Sequence, residues 1–289
     1  MTPAPKVLHS RGILLLIMTT VIWGTSFPLL KTAVSSLSPA VLLAVRFTVA
    51  AVGFVPWLRK LNTHLLRDGV MLGLLYFAEC ASALMGIQTI SANRAAFIIS
   101  LNVILVPLLG TLLGQRLSGK VLFAAGLALI GIGVMSWEGG GLSKGDLLTF
   151  ASAIGIAVYI LMLEAATPRH PTLPLTAIQL LVMSLLGIVW AMPQLARQVE
   201  EIASNFSTLL YLGLVVTATP IWTQAMAQRW VPSHEAALLY TFEPVFAAVF
   251  SFWLLGEELG VRGLVGAGLV LAAAALSQSQ SRCCSSHST

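Results

Sequence analysis

Charge is what this chain has least of. Lys, Arg, Asp and Glu make up 9% of its 289 residues, against 57% hydrophobic residues, where a soluble domain carries about 25% charged residues. So few ionisable side chains cannot cover a water-facing surface. The mean hydropathy of +0.90 agrees, and lipid is the expected solvent for most of the chain. Cysteine is also scarce. Cys80 falls in an apolar segment, and Cys283 and Cys284 adjoin in a polar stretch; neither a disulfide framework nor a zinc spacing follows.

Several chemical signatures are missing. The histidines His9, His64, His170, His234 and His287 are scattered and form no His-Glu-x-x-His pair, the arrangement a metalloprotease helix needs. No nucleophile stands in register with a base, so an intramembrane enzyme is the minor reading, and no cofactor is expected. Gly139-Gly140-Gly141 is not followed by Lys and Ser or Thr, so no phosphate-cradling loop is present and ATP is not the direct energy source. The net charge of +5 comes with no basic run or aromatic RNA-binding pattern, which argues against a nucleic-acid partner.

What is present is a succession of long apolar segments. A helix needs about 20 mostly apolar residues to cross a hydrocarbon core of roughly 30 Å. Ten segments qualify: 12–33, 38–58, 69–89, 94–114, 119–137, 145–165, 174–193, 206–228, 234–254 and 260–277. Between them stand charges or breakers such as Arg59-Lys60, Arg116, Glu138, Arg169, Glu200-Glu201, Pro232 and Glu257-Glu258. The segments run far past strand length, and backbone in lipid must satisfy its hydrogen bonds within its own segment. An all-α integral membrane fold is therefore expected, its first segment an uncleaved span, with 278–289 a disordered polar tail. Of the sixteen Lys and Arg, Lys31, Arg94, Lys144, Arg197 and Arg262 fall on one side of such a bundle and Arg46 within the second segment. The other ten fall on the side of the N-terminus, so both termini are expected to be cytoplasmic.

The sequence repeats itself. Asn93 to Met135 aligns without gaps on Glu235 to Ser277. Leu113-Gly114-Gln115-Arg116-Leu117 falls on Leu255-Gly256-Glu257-Glu258-Leu259, and Ala125-Gly126-Leu127 on Ala267-Gly268-Leu269. The matched pairs are segments four-five and nine-ten, so the repeating unit is five spans. An odd unit enters the membrane from opposite sides in its two copies, which inverts the halves. Inverted repeats are a common plan of secondary transporters, with the substrate near the midplane between halves.

Trp23-Gly24-Thr25-Ser26-Phe27-Pro28, Glu243-Pro244 and Leu255-Gly256-Glu257 resemble the EamA family of the drug/metabolite transporter superfamily, and the resemblance spans essentially the whole chain. It implies ten transmembrane helices in two inverted five-helix repeats, 1–137 and 138–277. Within the family the chain is most similar to bacterial exporters of the YddG type. That likeness implies export of aromatic and other amino acids, or related small metabolites, across a bacterial inner membrane by alternating access. A carrier of drugs or other metabolites is the alternative reading, with a channel a minor one.

Polar and aromatic residues inside spans mark the candidate substrate contacts, because a charge at mid-membrane costs about 2.5–3.5 kcal/mol on insertion scales and must face protein or water. Glu79 lies mid-way along the third segment, and Tyr76, Glu79, Cys80 and Ala83 share one helical face. Glu79 is read as a contact for a substrate amine or as a proton carrier, and equally as a helix-to-helix hydrogen bond. Glu243 precedes Pro244, which removes a backbone donor and bends its helix, with Tyr240 one turn earlier. The resemblance places this helix beside the central cavity. Arg46 suits a carboxylate or a neighbouring acid. Asn102, Gln179 and Gln224 are uncharged hydrogen-bonders that either line a cavity or join helices. Trp23, Phe27, Phe97, Tyr159 and Trp222 complete the set for an apolar or aromatic cargo. Gly126, Gly131 and Gly133, with Gly263, Gly266 and Gly268, read as close helix packing or support for a homodimer.

Overall fold

The computed structural model describes residues 5–59, 62–90, 95, 98–114, 119–136 and 142–255, and of the last apolar segment 261–262, 264–266, 268–270, 272–273 and 276. Among these residues the structure is helical, without strands. The helices are α1 (Pro5–Ser36), α2 (Pro39–Val52), α3 (Thr63–Ile87), α4 (Asn102–Leu112), α5 (Gly119–Ser136), α6 (Lys144–Ala166) and α7 (Thr172–Leu195). After them come α8 (Val199–Ser204), α9 (Phe206–Gly213), α10 (Thr219–Ala227), α11 (Ser233–Tyr240) and α12 (Glu243–Leu255). Helical residues of the tenth segment follow.

Five helical stretches are long and apolar enough to cross a bilayer: Val7–Ser26, Thr63–Ile87, Lys144–Ala166, Thr172–Leu195 and Phe206–Ala227. Pro39–Val52, Asn102–Leu112 and Gly119–Gly131 are apolar but shorter. At 1.5 Å per residue the 14 residues of α2 reach about 21 Å, and the 3₁₀ turn Val55–Arg59 extends that segment. The polar tail 278–289, the turns Gln115-Arg116 and Glu257-Glu258, and Phe97 lie outside the described residues, as does the side chain of Phe27.

Local chemistry sets the ends and breaks. Ser38 caps α2 by accepting from the Val41 amide, Asn62 caps α3 through Leu65, and Ser143 with Asp146 forms a reciprocal capping box at α6. The eighth segment carries a π-helical turn, Leu214–Ala218, between α9 and α10. Pro220 has no amide to donate, and within the turn Thr217 Oγ1 and Thr219 Oγ1 donate to the Leu212 and Leu214 carbonyls at 2.7 and 3.0 Å. The ninth segment is interrupted at Thr241-Phe242, just before Glu243-Pro244, and the fourth at Ser100-Leu101, just before Asn102. Tyr240 and Glu243 therefore sit on two helical pieces.

Most buried apolar side chains form one cluster drawn from α1, α2, α3, α6, α7 and the α9–α11 region, with Val106 of α4. A smaller one joins Val103, Ala124, Ala125, Ala128, Leu238 and Ala273. Gly131 lets the last segment approach α5: a Cβ there would stand 2.8 Å from the Gly266 carbonyl oxygen. On the outside, Trp253, Val189, Met192 and Phe123 are each about two-thirds exposed or more, an apolar surface suited to lipid.

α2 and α7 pack side by side and run in opposite directions. Ser38 contacts Gln198, Ala44 lies against Gly187, and Thr48 meets Ser184 at 2.8 Å. A Cβ at Gly187 would stand 2.9 Å from the Ala44 Cα, so only glycine allows this approach.

Candidate functional site

A cavity of about 100 Å³ lies inside the bundle, room for several waters or a small organic group. α1 contributes Trp23, Ser26 and Leu30 to its wall, α2 Leu43 and Arg46, and α3 Tyr76, Glu79, Cys80, Ala83, Leu84 and Ile87. Ile99 and Asn102 come from the fourth segment, Ile156 from α6, and Tyr240 and Glu243 from either side of the break in the ninth. The α3 face Tyr76–Glu79–Cys80–Ala83 thus lines one space.

Glu79 is held from across the bundle. Ser152 Oγ of α6 donates to its Oε1 at 3.0 Å, and Gly155, one turn on, leaves room for it: a Cβ there would be 3.2 Å from the Glu79 Cβ. Arg46 is 7% exposed and donates through Nε to Thr217 Oγ1 in the π-helical turn. Thr217 Oγ1 in turn donates a hydrogen bond to the Leu212 carbonyl, so the π-helical turn before Pro220 holds the guanidinium. No acid lies within ion-pair distance of Arg46 among the described residues.

Two aromatic pairs each place at least one ring on the cavity wall. Trp23 and Tyr240, both buried, pack at a tilt of 54° with 5.2 Å between centroids across α1 and α11. Tyr76 meets Tyr159 edge-on at 4.7 Å, and Tyr159 Oη donates to Gln179 Oε1 at 2.8 Å.

Of the sequence candidates, Trp23, Arg46, Tyr76, Glu79, Asn102, Tyr240 and Glu243 come together around the cavity. Tyr159 and Gln179 pair behind Tyr76 and are not among its lining residues. Gln224 donates to Gln228, which donates to the Ile160 carbonyl at 3.0 Å; this joins α10 to α6 away from the cavity. Trp222 also lies outside the wall. Sequence reasoning missed Ser152, Thr217 and Ser26, small hydroxyl residues that nothing in the sequence separates from the many others in these helices.

Two further contacts link distant segments. His9 Nε2 lies 2.9 Å from Glu235 Oε2, and His170 Nε2 lies 2.8 Å from Asp68 Oδ2. They stand at the starts of α1 and α3. The cavity lies toward the opposite end, where α1 and α3 finish and α2 begins.

The sequence profile of the EamA-like transporter family matches this chain twice, over residues 10–137 and 143–278. A relative from Archaeoglobus fulgidus, named "Uncharacterized transporter", is 28% identical over 89% of this chain and 82% of its own length. A relative from Streptantibioticus cattleyicolor, named "Probable terminal-alkyne amino-acid exporter", is 26% identical over 91% and 92%. A biotin transporter of Salmonella typhimurium is 25% identical over 70% and 71%. A solved crystal structure superposes with a TM-score of 0.78, covering 94% of this chain and 98% of its own at 19% identity, a likeness of fold. With an all-helical bundle of apolar segments around an internal cavity, and with both halves matched in turn, the chain is a multi-pass membrane protein that belongs to the EamA-like transporter family.

Proposed function

We propose that the protein is a secondary transporter that exports amino acids across a bacterial inner membrane by alternating access, with ten spans in two inverted repeats (1–137 and 138–277) and both termini cytoplasmic. The observation that carries this reading is the cavity between the halves, walled by α1–α4 from one and α6, α11 and α12 from the other. A site shared by two inverted halves opens to one face or the other as the halves rock. The antiparallel packing of α2 on α7, the second helix of each half, supports the inversion.

The cargo is read from the wall. Arg46 offers a guanidinium for a carboxylate, Glu79 and Glu243 offer carboxyls for an amine, and Trp23, Tyr240, Leu30 and Leu43 surround the rest with apolar surface. Opposite charges on one apolar cavity suit a zwitterion. With two carboxyls facing a single guanidinium, the wall is poorly matched to doubly anionic cargo. With the N-terminus inside, the cavity lies toward the outer face, and the His9–Glu235 and His170–Asp68 pairs close the cytoplasmic end.

The test is counterflow in liposomes. Vesicles loaded with an unlabelled amino acid are expected to take up the labelled one saturably, above protein-free vesicles. A panel of amino acids that shows no exchange defeats the cargo reading.

A further inference from the structure

We infer that the cavity seats a primary ammonium group on Asn102 Oδ1, Glu79 and Glu243, and that Asn102 sets specificity for an unblocked amine; this rests on the amino-acid reading of the cargo. Asn102 opens α4 directly after the break at Ser100-Leu101 and is 5% exposed. Its Nδ2 donates to the Ile99 carbonyl at 2.8 Å. A carbonyl only accepts, so this bond decides which end of the amide is nitrogen. The other end, Oδ1, is a buried acceptor with no partner among the described residues, on a residue that lines the cavity.

Were Asn102 only joining helices, Oδ1 would accept from a neighbouring helix. It lacks such a donor, and buried polar atoms in native proteins rarely go without one. The partner it needs is an N–H or O–H brought in from the cavity.

The two acids on the same wall need donors as well. Glu79 Oε1 accepts from Ser152, and a carboxylate has lone pairs for further donors. Glu243 opens α12 after the corresponding break in the ninth segment. Three acceptors thus come from three helices, two in the first half and one in the second. An ammonium carries three N–H donors in a tetrahedral array, whereas a hydroxyl carries one, a secondary amide one and a quaternary amine none. Tyr240 Oη, buried and without a partner among the described residues, lies on the same wall and can accept or donate. The cation of the cavity wall, Arg46, is the place for the carboxylate. N-acylation removes both the charge and two of the three donors, so an acylated amino acid leaves at least two of these acceptors unmet.

The experiment separates the seat from the cargo. In detergent, binding of L-leucine, N-acetyl-L-leucine and isopentylamine is followed by thermal shift, and counterflow of L-leucine is measured in liposomes. N-acetyl-L-leucine is expected to bind at least tenfold more weakly than L-leucine. Asn102→Leu is expected to weaken both L-leucine and isopentylamine at least tenfold, and Asn102→Asp, which keeps an acceptor, to retain them. N-acetyl-L-leucine binding within twofold of L-leucine, or Asn102→Leu binding both amines as the parent does, overturns the inference. Should no amino acid exchange in liposomes while isopentylamine still binds in an Asn102-dependent way, the seat stands and the cargo reading falls.

Discussion

His170, in the connection between α6 and α7, lies 2.8 Å from Asp68 in the first turns of α3. His9 and Glu235 make the same kind of contact at 2.9 Å. Each pair ties the first half of the chain to the second, and both stand at the end of the bundle away from the cavity. Relative motion of the halves has to break them.

Replacing both acids, as Asp68→Asn with Glu235→Gln, is expected to loosen that end. Cys80 lines the cavity and is the natural reporter, once Cys283→Ser and Cys284→Ser remove the other thiols. In inside-out vesicles, labelling of Cys80 by an impermeant maleimide should rise several-fold in the double variant. Equal labelling would separate these pairs from closure.

Glu79→Gln removes a charge that meets both Ser152 and the cavity. A hydrogen bond to a charged group contributes about 1.5–3 kcal/mol, and about 1.4 kcal/mol is tenfold in a rate or binding constant. Counterflow is expected to fall roughly tenfold or more, and its pH dependence to flatten. Ser152→Ala, which leaves the carboxyl in place, should cost only a few-fold. Parent-like flux at every pH in Glu79→Gln would take Glu79 out of the mechanism.

Gly187→Ala places a methyl 2.9 Å from the Ala44 Cα, backbone that cannot swing aside as a side chain would. Overpacking of this sort costs about 1–3 kcal/mol. The unfolding midpoint in detergent should drop by several degrees. Val189→Ala, two residues on and exposed on the other side of the helix, should change it little.

Inversion of the repeats requires the matched turns to face opposite sides. Single cysteines at Arg116→Cys and Glu257→Cys, again in the thiol-free background with Cys80→Ala, are expected to label from opposite faces of the membrane. Labelling from the same face would end the inverted arrangement, and alternating access with it.

Some of this was legible in the residues. Spacing of three and four put Tyr76, Glu79, Cys80 and Ala83 on one face of α3, because helical period is a local property, and that face lines the cavity. Pro244 marked the break in the ninth segment, because a missing amide acts on its own helix. The matching break before Asn102 carries no proline, and nothing in the sequence announced it. Tyr159 and Gln179 read as cavity residues but bond to each other, as Gln224 and Gln228 form a chain to Ile160. A polar residue on a buried face has either fate, and the partner that decides it lies on another helix.

By itself the sequence determined the solvent, the helices and the repeat, since scarcity of charge, apolar length and self-similarity act through neighbours in the chain. Tertiary structure alone decided which faces meet: Ser152 on Glu79, Thr217 on Arg46, Ala44 against Gly187, and Asn102 left with an open acceptor. Those pairings depend on helices separated by tens or hundreds of residues, and the helical period, which orients a side chain about its own axis, carries no record of the axis beside it.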